Sequence, residues 1–367
     1  MSKLFSPAKV GRYSFSHRVV LAPLTRMRAE AGAVPGKLMA EYYGQRASQG
    51  GFLIAEATSV APNGSGYLGA PALYDDKQIA GWKKVVDVVH AKGATIFLQL
   101  YHSGRQSHAD LQPGGVRPVG PSEVLHGGVA HTDSWVPNTP NRALTIVEIK
   151  ALVESFRSAA RRAMVAGFDG VELHGANGYL VDQFLQDGSN KRTDDYGGGV
   201  ANRARFLFEV TDALVSVWGS DRVGVRIGPS GSFGDMSDSD PDALFSFVAR
   251  ELDQRGLAYV HLIEPRILGV MEDDSKSQQP LGSRLIRRHF KGTIIATGGF
   301  TGEAAEAILR EGAADLVAFG RHFIANPDLP ERLRRQLPLT PYDRDSFFGG
   351  TEVGYTDYPF AEQELVA

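Results

Sequence analysis

The feature that most constrains the fold of this chain is a regular alternation of short apolar runs with longer helix-like segments. The runs have the length and composition of buried strands. Eight are predicted, at Val19–Ala22, Leu53–Ala57, Thr95–Leu100, Gly170–His174, Val223–Ile227, Tyr259–Ile263, Ile294–Thr297 and Leu316–Phe319. Helices are predicted between them, at Gly36–Gln49, Gln78–Lys92, Thr145–Ala166, Asn202–Val217, Asp240–Gln254, Gly282–His289 and Gly302–Glu311. Strict alternation implies a parallel sheet, because parallel neighbours need long crossover connections.

Eight strand–helix units in one chain favour a closed (β/α)₈ TIM barrel, a fold of the α/β class, over an open doubly wound sheet. The 367 residues fit either one large barrel or two average domains. No linker, internal repeat or low-complexity tract divides the chain. No G-x-G-x-x-G motif follows the first strand, as it would in a dinucleotide-binding domain of the open type. We therefore predict a single domain over residues 1–367.

Four segments extend this minimal barrel. An N-terminal hairpin at about residues 5–15 is predicted to cap the bottom of the barrel. A long excursion after the third strand, at about residues 101–142, is rich in Gly, Pro, Ser and His, and a tail at about residues 340–367 follows the last strand. A second polar loop, 187–200, follows the fourth strand. Both loops leave the carboxyl ends of strands, where barrel enzymes place their active sites.

Composition excludes several classes of function. With 39 basic and 42 acidic residues, a net charge of −3 and no run of Lys or Arg, the chain lacks the positive surface that nucleic acid or an anionic membrane requires. The first residues do not resemble a signal peptide and no apolar stretch reaches membrane-spanning length, so we expect a cytoplasmic protein. Small molecules are its expected partners, and the chain is expected to be a monomer or a small homo-oligomer.

The absence of cysteine narrows the chemistry further. With no Cys in 367 residues, disulfides, thiolate-bound clusters, thiolate zinc sites and cysteine nucleophiles are all excluded. The ten histidines form no metal-binding motif such as H-E-x-x-H, so no metal site is expected. Redox chemistry in this chain would therefore need an organic cofactor.

The most informative segment is Gly170–Tyr179, in which three polar side chains emerge where the fourth predicted strand ends. His174 ends the strand, and Asn177 and Tyr179 follow three and five positions later. His174 and Asn177 can both donate a hydrogen bond to one oxygen, while Tyr179 carries a transferable proton. This combination suits a site that activates a carbonyl or nitro group and protonates a neighbouring carbon.

Polar residues also interrupt strands that should be apolar, because barrel strands are packed on both faces. Gln99 lies in the third strand and Arg226 in the fifth, while Glu172 and His174 share one face of the fourth. Such buried groups need partners, and two interpretations remain open. They form an internal network, for example with Glu172 paired to Arg226, or they bind a flat heteroaromatic ring with donors and acceptors on its edge, as a flavin has.

Glycines and a cation follow the last two strands, in the two loops that commonly bind phosphate in barrels of this type. Thr297-Gly-Gly-Phe-Thr301 follows the seventh strand and Phe319-Gly-Arg-His322 follows the eighth. Glycine permits close approach of the backbone, whose amides donate to phosphate oxygens, and Arg321 adds a bidentate charge. Either glycine loop alone could simply form the tight turn that begins a helix. The prediction of a phosphate site therefore depends on finding both loops together.

These segments together resemble the Old Yellow Enzyme family of FMN-dependent ene-reductases, particularly the bacterial alkene, N-ethylmaleimide and nitrate-ester reductases. The resemblance covers nearly the whole chain and is most specific over residues 170–198. The matching segments are Leu21-Ala-Pro-Leu-Thr-Arg-Met-Arg28, Glu56-Ala-Thr58, Gln99-Leu-Tyr-His-Ser-Gly-Arg105, Gly170–Tyr179, Asn190-Lys-Arg-Thr-Asp-Asp-Tyr-Gly-Gly198, Arg226-Ile-Gly-Pro229, Ala296-Thr-Gly-Gly-Phe300, Phe319-Gly-Arg321 and Gly354-Tyr-Thr-Asp-Tyr-Pro359.

The resemblance implies a non-covalently bound FMN cofactor, with NADPH or NADH as the hydride donor. The residues implied along the flavin ring are Pro23, Thr25, Ala57 and Gln99. Arg226 is implied at the N1/O2 edge of the ring, where negative charge gathers on reduction. The residues implied at the phosphate are Gly299, Gly320 and Arg321.

It also implies reduction of activated C=C bonds in α,β-unsaturated carbonyl or nitro compounds. His174 and Asn177 would bind the substrate oxygen, and hydride would pass from flavin N5 to Cβ while Tyr179 protonates Cα. Further substrate-binding positions are Thr25, Tyr101 and Phe348. A tyrosine of ordinary pKa is protonated at neutral pH and can serve as the acid.

The chain departs from common patterns of the family at several positions. The oxygen-binding pair is His174 and Asn177 rather than two histidines, and Thr25 stands where one subclass has cysteine. Tyr101 stands where nitro-reducing relatives often have tryptophan, and Phe348 where relatives often have tyrosine. The alternatives are another FMN barrel oxidoreductase, such as a nitrate-ester or nitro-compound reductase with little ene-reductase activity, and a flavin-binding barrel without catalysis.

Overall fold

The computed structural model describes residues 2–265, 267–268, 271–272 and 282–364, and within them eight parallel strands close into a barrel. These strands are β1 (Val19–Leu21), β2 (Phe52–Ser59), β3 (Thr95–Tyr101), β4 (Gly170–Gly175), β5 (Val223–Ile227), β6 (Tyr259–Ile263), β7 (Ile294–Thr297) and β8 (Leu316–Phe319). Each strand pairs with the next one in the chain, and β8 closes the barrel against β1. The predicted (β/α)₈ fold and the eight predicted strands are confirmed.

Helices lie between the strands and after β8. They are α1 (Lys37–Arg46), α2 (Asp76–Ala91), α3 (Ile146–Val165), α4 (Leu180–Leu185), α5 (Val200–Trp218), α6 (Pro241–Gln254), α7 (Ser283–Arg287), α8 (Gly302–Glu311), α9 (Arg321–Ala325), α10 (Leu329–Arg335) and α11 (Ala361–Glu364). The seven predicted helices are confirmed within three residues of their predicted ends. Helix α2 begins before Gln78 because Asp75 caps it, with each side chain accepting from the other residue's amide.

An antiparallel hairpin of Ala8–Val10 and Tyr13–Phe15 closes the amino-terminal end of the barrel, as predicted. Phe15 stacks on Phe52 with 4.8 Å between ring centroids, and Tyr13 meets Phe97 edge-on at 5.9 Å. Phe52 and Phe97 belong to barrel strands, so aromatic rings fill this end of the barrel. The open space lies instead at the carboxyl ends of the strands.

The long excursion between β3 and α3 contains little regular structure. Its elements are two 3₁₀ turns, Ala109–Leu111 and Pro113–Gly115, a parallel pair of Val119–Gly120 with Arg142–Ala143, and an antiparallel hairpin of Val129–His131 with Trp135–Pro137. A further short antiparallel pair, Ile267–Leu268 with Met271–Glu272, follows β6. We call residues 129–137 the rim hairpin, because two of them border the cavity that holds the candidate site.

Two buried arginines that follow β1 hold the C-terminal tail against the barrel. Arg26 donates from Nε to the carbonyl of Phe347 at 2.8 Å, and Arg28 donates from Nε to the carbonyl of Thr351 at 3.0 Å. A guanidinium has five donors in a fixed fork, so it can satisfy several backbone carbonyls at once. The tail held in this way brings Phe347 and Phe348 to the cavity.

Candidate active site

A cavity of about 470 Å³ opens at the carboxyl ends of the barrel strands. Its wall combines residues from the strand ends, the loops that follow them, the rim hairpin and the C-terminal tail. The predicted site residues that line it are Pro23, Thr25, Ala57, Gln99, His174, Asn177, Tyr179, Arg226, Gly299, Gly320, Arg321 and Phe348. Residues far apart in the chain therefore meet here, because the carboxyl ends of parallel barrel strands share one face.

One predicted substrate-binding residue, Tyr101, does not line the cavity. Its ring is buried and packs edge-on against Tyr179, with 5.2 Å between the ring centroids. Tyr101 belongs to a small apolar cluster that also includes Met27 and Ala57. The structure thus places Tyr101 in support of Tyr179 rather than in the cavity wall.

A layer of buried polar side chains crosses the barrel. Strand register puts Glu172 beside Gln99, and it puts Arg226 between His174 and His261. Glu172 Oε1 accepts from Gln99 Nε2 at 2.7 Å, and Glu172 Oε2 accepts from His261 Nδ1 at 2.9 Å. An internal network therefore exists, but the pairing of Glu172 with Arg226 suggested by the sequence is not among the ion pairs of the described residues.

Arg226 lines the cavity, and one of its guanidinium donors is unsatisfied. It is 8% exposed, and its Nε is buried without a hydrogen-bond partner in the described part of the chain. Burial lowers the pKa of Arg226, while the nearby carboxylate of Glu172 acts to raise it, and arginine keeps its charge in proteins. A buried cation with a free donor needs an acceptor, so this wall suits the electron-rich edge of a ligand.

His174 offers the cavity a neutral imidazole. Burial first, and then the positive charge of Arg226 and the proximity of His261, hold the pKa of His174 well below its ordinary value. Its Nδ1 is buried without a hydrogen-bond partner among the residues that the structure describes. A neutral imidazole donates one N–H, so His174 can polarise an oxygen without carrying a charge.

Asn177 is held by an unusual backbone conformation. Its φ is 57°, in the left-handed region that asparagine tolerates better than most residues. The amide of Gly178 donates to Asp182 Oδ2 at 2.9 Å, and Gln183 Nε2 donates to the carbonyl of Gly178 at 2.7 Å. Two buried side chains of α4 therefore fix the turn that carries Asn177 and Tyr179.

Tyr179 lies edge-on to His174, with 5.0 Å between the ring centroids. Its hydroxyl shares a hydrogen bond of 2.9 Å with the hydroxyl of Tyr67. Burial, followed by the proximity of Tyr67 and Tyr101, raises the pKa of Tyr179 well above its ordinary value. The sequence predicted a tyrosine of ordinary acidity, whereas the structure makes Tyr179 a weaker acid that is fully protonated at neutral pH.

Tyr67 is a lining residue that the sequence did not reveal. It comes from the loop between β2 and α2, where no motif or periodicity marks it. An isolated bridge to His131 and a bond from the Leu68 amide to the His131 carbonyl at 2.7 Å tie this loop to the rim hairpin. The partner of Tyr179 is thus set by the path of a long loop, which local sequence does not specify.

The two glycine loops follow neighbouring strands, β7 and β8, and both contribute to the cavity wall. Gly298 and Gly299 have φ angles of 144° and 62°, which glycine adopts without the strain that a side chain would bring. Gly320 and Arg321 follow β8, and the Arg321 guanidinium lies 5.5 Å from the ring centroid of Tyr342. The backbone of the two glycine loops and the Arg321 cation therefore line the same part of the cavity wall.

Aromatic side chains border the mouth of the cavity. Trp135 of the rim hairpin is 48% exposed and lies edge-on to Tyr67 at 6.0 Å and to Phe348 at 5.4 Å. Val129 and Phe233 complete this apolar border.

The described part of the chain holds neither a metal-binding cluster nor a membrane-spanning helix. No group of His, Asp or Glu side chains is arranged there to hold a metal ion. No helix in the same part of the chain is long and apolar enough to cross a membrane.

The chain matches the NADH:flavin oxidoreductase / NADH oxidase family, whose cofactor is FMN, over residues 3–340. It therefore belongs to this family, which is the Old Yellow Enzyme family. Fold, family and site together define an FMN-dependent flavin oxidoreductase that uses NADH or NADPH.

Similar proteins span almost the whole chain. 12-Oxophytodienoate reductase 1 of Oryza sativa subsp. japonica is 47% identical over 362 residues, which are 98% of this chain and 93% of that protein. 12-Oxophytodienoate reductase 2 of Arabidopsis thaliana is 45% identical over 364 residues, with 98% and 96% covered. The structure of morphinone reductase in complex with tetrahydroNAD superposes with a TM-score of 0.91 at 46% identity, covering 97% of each chain.

Proposed function

We propose that this protein is an ene-reductase that takes hydride from NADPH or NADH and reduces the activated C=C bond of α,β-unsaturated carbonyl or nitro compounds. The observation that carries the proposal is the grouping of a neutral His174, Asn177 and a protonated Tyr179 in one cavity with Arg226. The relatives support it, because the names 12-oxophytodienoate reductase and morphinone reductase denote reductases of ketone-containing molecules.

The proposed cofactor contacts follow from what each part of the cavity offers. Arg226 would hold the electron-rich edge of the FMN ring, because its buried Nε lacks a partner among the described residues and reduction gathers negative charge at that edge. The residues that would lie along the ring are Pro23, Thr25, Ala57 and Gln99, and those that would hold the phosphate are Gly299, Gly320 and Arg321; all of them line the cavity. When bound, FMN supplies the hydride carrier that amino-acid side chains lack.

His174 and Asn177 are the proposed donors to the substrate oxygen. Addition of hydride at Cβ moves an electron pair onto this oxygen, so the two hydrogen bonds are stronger in the transition state than in the bound substrate. Because His174 is neutral, it polarises the oxygen but keeps its own proton. The same two donors fit the oxygens of a nitro group.

Tyr179 is the proposed acid. Once hydride has reached Cβ, the enolate carbon Cα is a strong base that takes the proton from the Tyr179 hydroxyl, and water returns a proton to the tyrosinate. The raised pKa of Tyr179 suits this order, because a weak acid gives up its proton only after the base has formed. Tyr67, at 2.9 Å from Tyr179, holds the hydroxyl in place.

Anaerobic turnover of 2-cyclohexenone with NADPH tests the proposed function, with the products separated by gas chromatography. We expect one cyclohexanone for each NADPH oxidised. Asn177→Ala should lower kcat/KM for the enone about 10²-fold, as expected for one donor to a developing oxyanion, and leave reduction of the flavin by NADPH unchanged. NADPH oxidation with a nitrate ester but none with any enone would favour the alternative reductase class instead.

A further inference from the structure

Glu172 is a buried carboxylate beneath the cavity that the proposed reaction does not use. It lies in β4 with no exposed surface, and it is not a lining residue itself. Both of its oxygens are occupied, one by Gln99 Nε2 at 2.7 Å and the other by His261 Nδ1 at 2.9 Å. Burial opposes its ionisation, but His261, Arg226 and the bond from Gln99 hold the pKa of Glu172 below its ordinary value.

The bond to Glu172 decides which way the Gln99 amide faces. A carboxylate only accepts hydrogen bonds, so Gln99 must turn its Nε2 toward Glu172. The carbonyl Oε1 of Gln99 is then the end left for a ligand, and Gln99 lines the cavity. The cavity therefore offers a fixed acceptor at Gln99 together with a fixed donor at Arg226, a pattern that matches an N–H beside a carbonyl on a ring edge.

Glu172 also acts on the charge of Arg226. Both side chains point into the barrel from neighbouring strands, and Glu172 is the acidic group that stabilises the Arg226 cation. In a buried site of low dielectric such an interaction is only weakly screened. A ligand that gains negative charge beside Arg226 is therefore stabilised less than it would be if Glu172 were absent.

We propose that Glu172 is a positioning residue for the flavin. It fixes the Gln99 amide with its carbonyl toward the cavity, and its negative charge offsets part of the Arg226 charge that the flavin meets. This inference rests on the proposed placement of FMN between Gln99 and Arg226. It makes the Glu172 carboxylate a determinant of FMN affinity and of the flavin reduction potential.

Glu172→Gln is the direct test, because it keeps the size of the side chain and removes the charge. The new amide has one acceptor where the carboxylate has two, so Gln99 is expected to turn over and present Nε2 to the cavity. We expect the dissociation constant of oxidised FMN to rise about tenfold, because one hydrogen bond is lost and a donor of Gln99 then faces a donor of the ligand. Titration of the apoprotein with FMN, followed by quenching of flavin fluorescence, measures this constant.

The reduction potential of the bound flavin should also become more positive in Glu172→Gln. Without Glu172 the uncompensated Arg226 favours the anionic reduced cofactor, so the affinity for reduced FMN falls less than the affinity for oxidised FMN. If the ratio of the two dissociation constants rises about tenfold, the two-electron potential rises by about 30 mV. A spectroelectrochemical titration of the loaded protein measures this shift.

Asp238→Asn is the matched control, because the Asp238 side chain is also fully buried but pairs with Arg203 at 2.9 Å outside the cavity. It should lower stability without changing either the FMN affinity or the potential. Wild-type values in Glu172→Gln, a change in affinity without the positive shift in potential, or equal changes in Asp238→Asn would each overturn the inference. Failure of the wild-type protein to bind FMN would instead overturn the proposed function.

If Glu172→Gln does not fold, Glu172→Asp takes its place. The shorter acid keeps the negative charge near Arg226 but reaches only one of its two partners. We expect that partner to be His261, whose interaction with Glu172 is stronger than that of Gln99, so Gln99 loses its anchor. Weaker FMN binding with a nearly unchanged potential would support the inference. An unchanged FMN affinity would overturn it.

Discussion

At the scale of single residues, the surroundings of Tyr179 decide what it can do. The hydroxyl is buried, bonded to Tyr67 at 2.9 Å and flanked by the ring of Tyr101. Burial, and then these neighbours, raise the pKa of Tyr179, so Tyr179 holds its proton and does not act as a base near neutral pH. The proposed order of events, hydride first and proton second, follows from this acidity.

Replacing Tyr179 with phenylalanine separates the two halves of the reaction. Reoxidation of the reduced flavin by 2-cyclohexenone should slow about 10²-fold or more, the usual contribution of a general acid. Reduction of the flavin by NADPH should stay near the wild-type rate, because that step needs no acid. Stopped-flow absorbance measures each half-reaction, and equal slowing of both would mean that Tyr179 shapes the cavity without donating a proton.

The sequence predicted some residues of the candidate site and missed others, for a physical reason. His174, Asn177 and Tyr179 lie within six positions of one strand end, so local pattern was enough to group them. Tyr67 and His261 reach the same region from separate segments. Their contacts depend on a loop path and on strand register, and neither is encoded by neighbouring residues.

At the scale of elements, the rim hairpin and the C-terminal tail together border the mouth of the cavity. Trp135 of the hairpin contacts Phe348 of the tail and Tyr67 of the β2–α2 loop. Arg26 and Arg28 hold the tail by hydrogen bonds to its backbone carbonyls. These bonds do not depend on the identity of the tail side chains. This border is therefore suited to select substrates by the size of their apolar part.

Trp135→Ala tests the role of the border. We expect KM to rise roughly tenfold for benzylideneacetone, which is long enough to use the apolar surface of the indole, and to stay nearly constant for the smaller 2-cyclohexenone. Steady-state kinetics with both enones measure the difference. Val147→Ala, at an exposed position of α3, is the control, and an equal change in KM for both substrates would contradict the role.

The elements that the sequence predicted are those with a strong local signal. Barrel strands appear as short apolar runs bounded by glycine and polar residues, and all eight were predicted. Helix α4 was not, because its six residues make fewer than two turns, too few to establish a helical period, and its polar residues Asp182 and Gln183 are buried with the rest. The conformation of the excursion was not predicted either, since each of its strands is only two or three residues long.

At the scale of the whole molecule, buried neutral histidines couple stability to pH. His102 is 1% exposed, its Nδ1 accepts from the Gly104 amide at 3.0 Å, and burial lowers its pKa to about 3. Between this value and the ordinary value near 6.5, the unfolded chain binds the proton and the folded chain does not. The contribution of His102 to stability is therefore full above pH 6.5 and is lost progressively as the pH falls.

His102→Asn removes this titration and keeps an acceptor for the Gly104 amide. Between pH 7 and pH 4.5 the free energy of unfolding of the wild-type protein should fall by about 3 kcal/mol more than that of the variant, because one pKa unit corresponds to about 1.4 kcal/mol. Urea unfolding at both pH values measures the difference. Parallel losses in the wild-type protein and His102→Asn would contradict the prediction.

The most direct test of the proposed function is the visible spectrum of the purified protein under anaerobic conditions. We predict a flavin absorbance band that NADPH bleaches and that 2-cyclohexenone then restores. A flavin that NADPH bleaches but no enone restores would contradict the role proposed for His174, Asn177 and Tyr179. A protein that cannot be loaded with FMN would contradict the placement of the cofactor against Gln99 and Arg226.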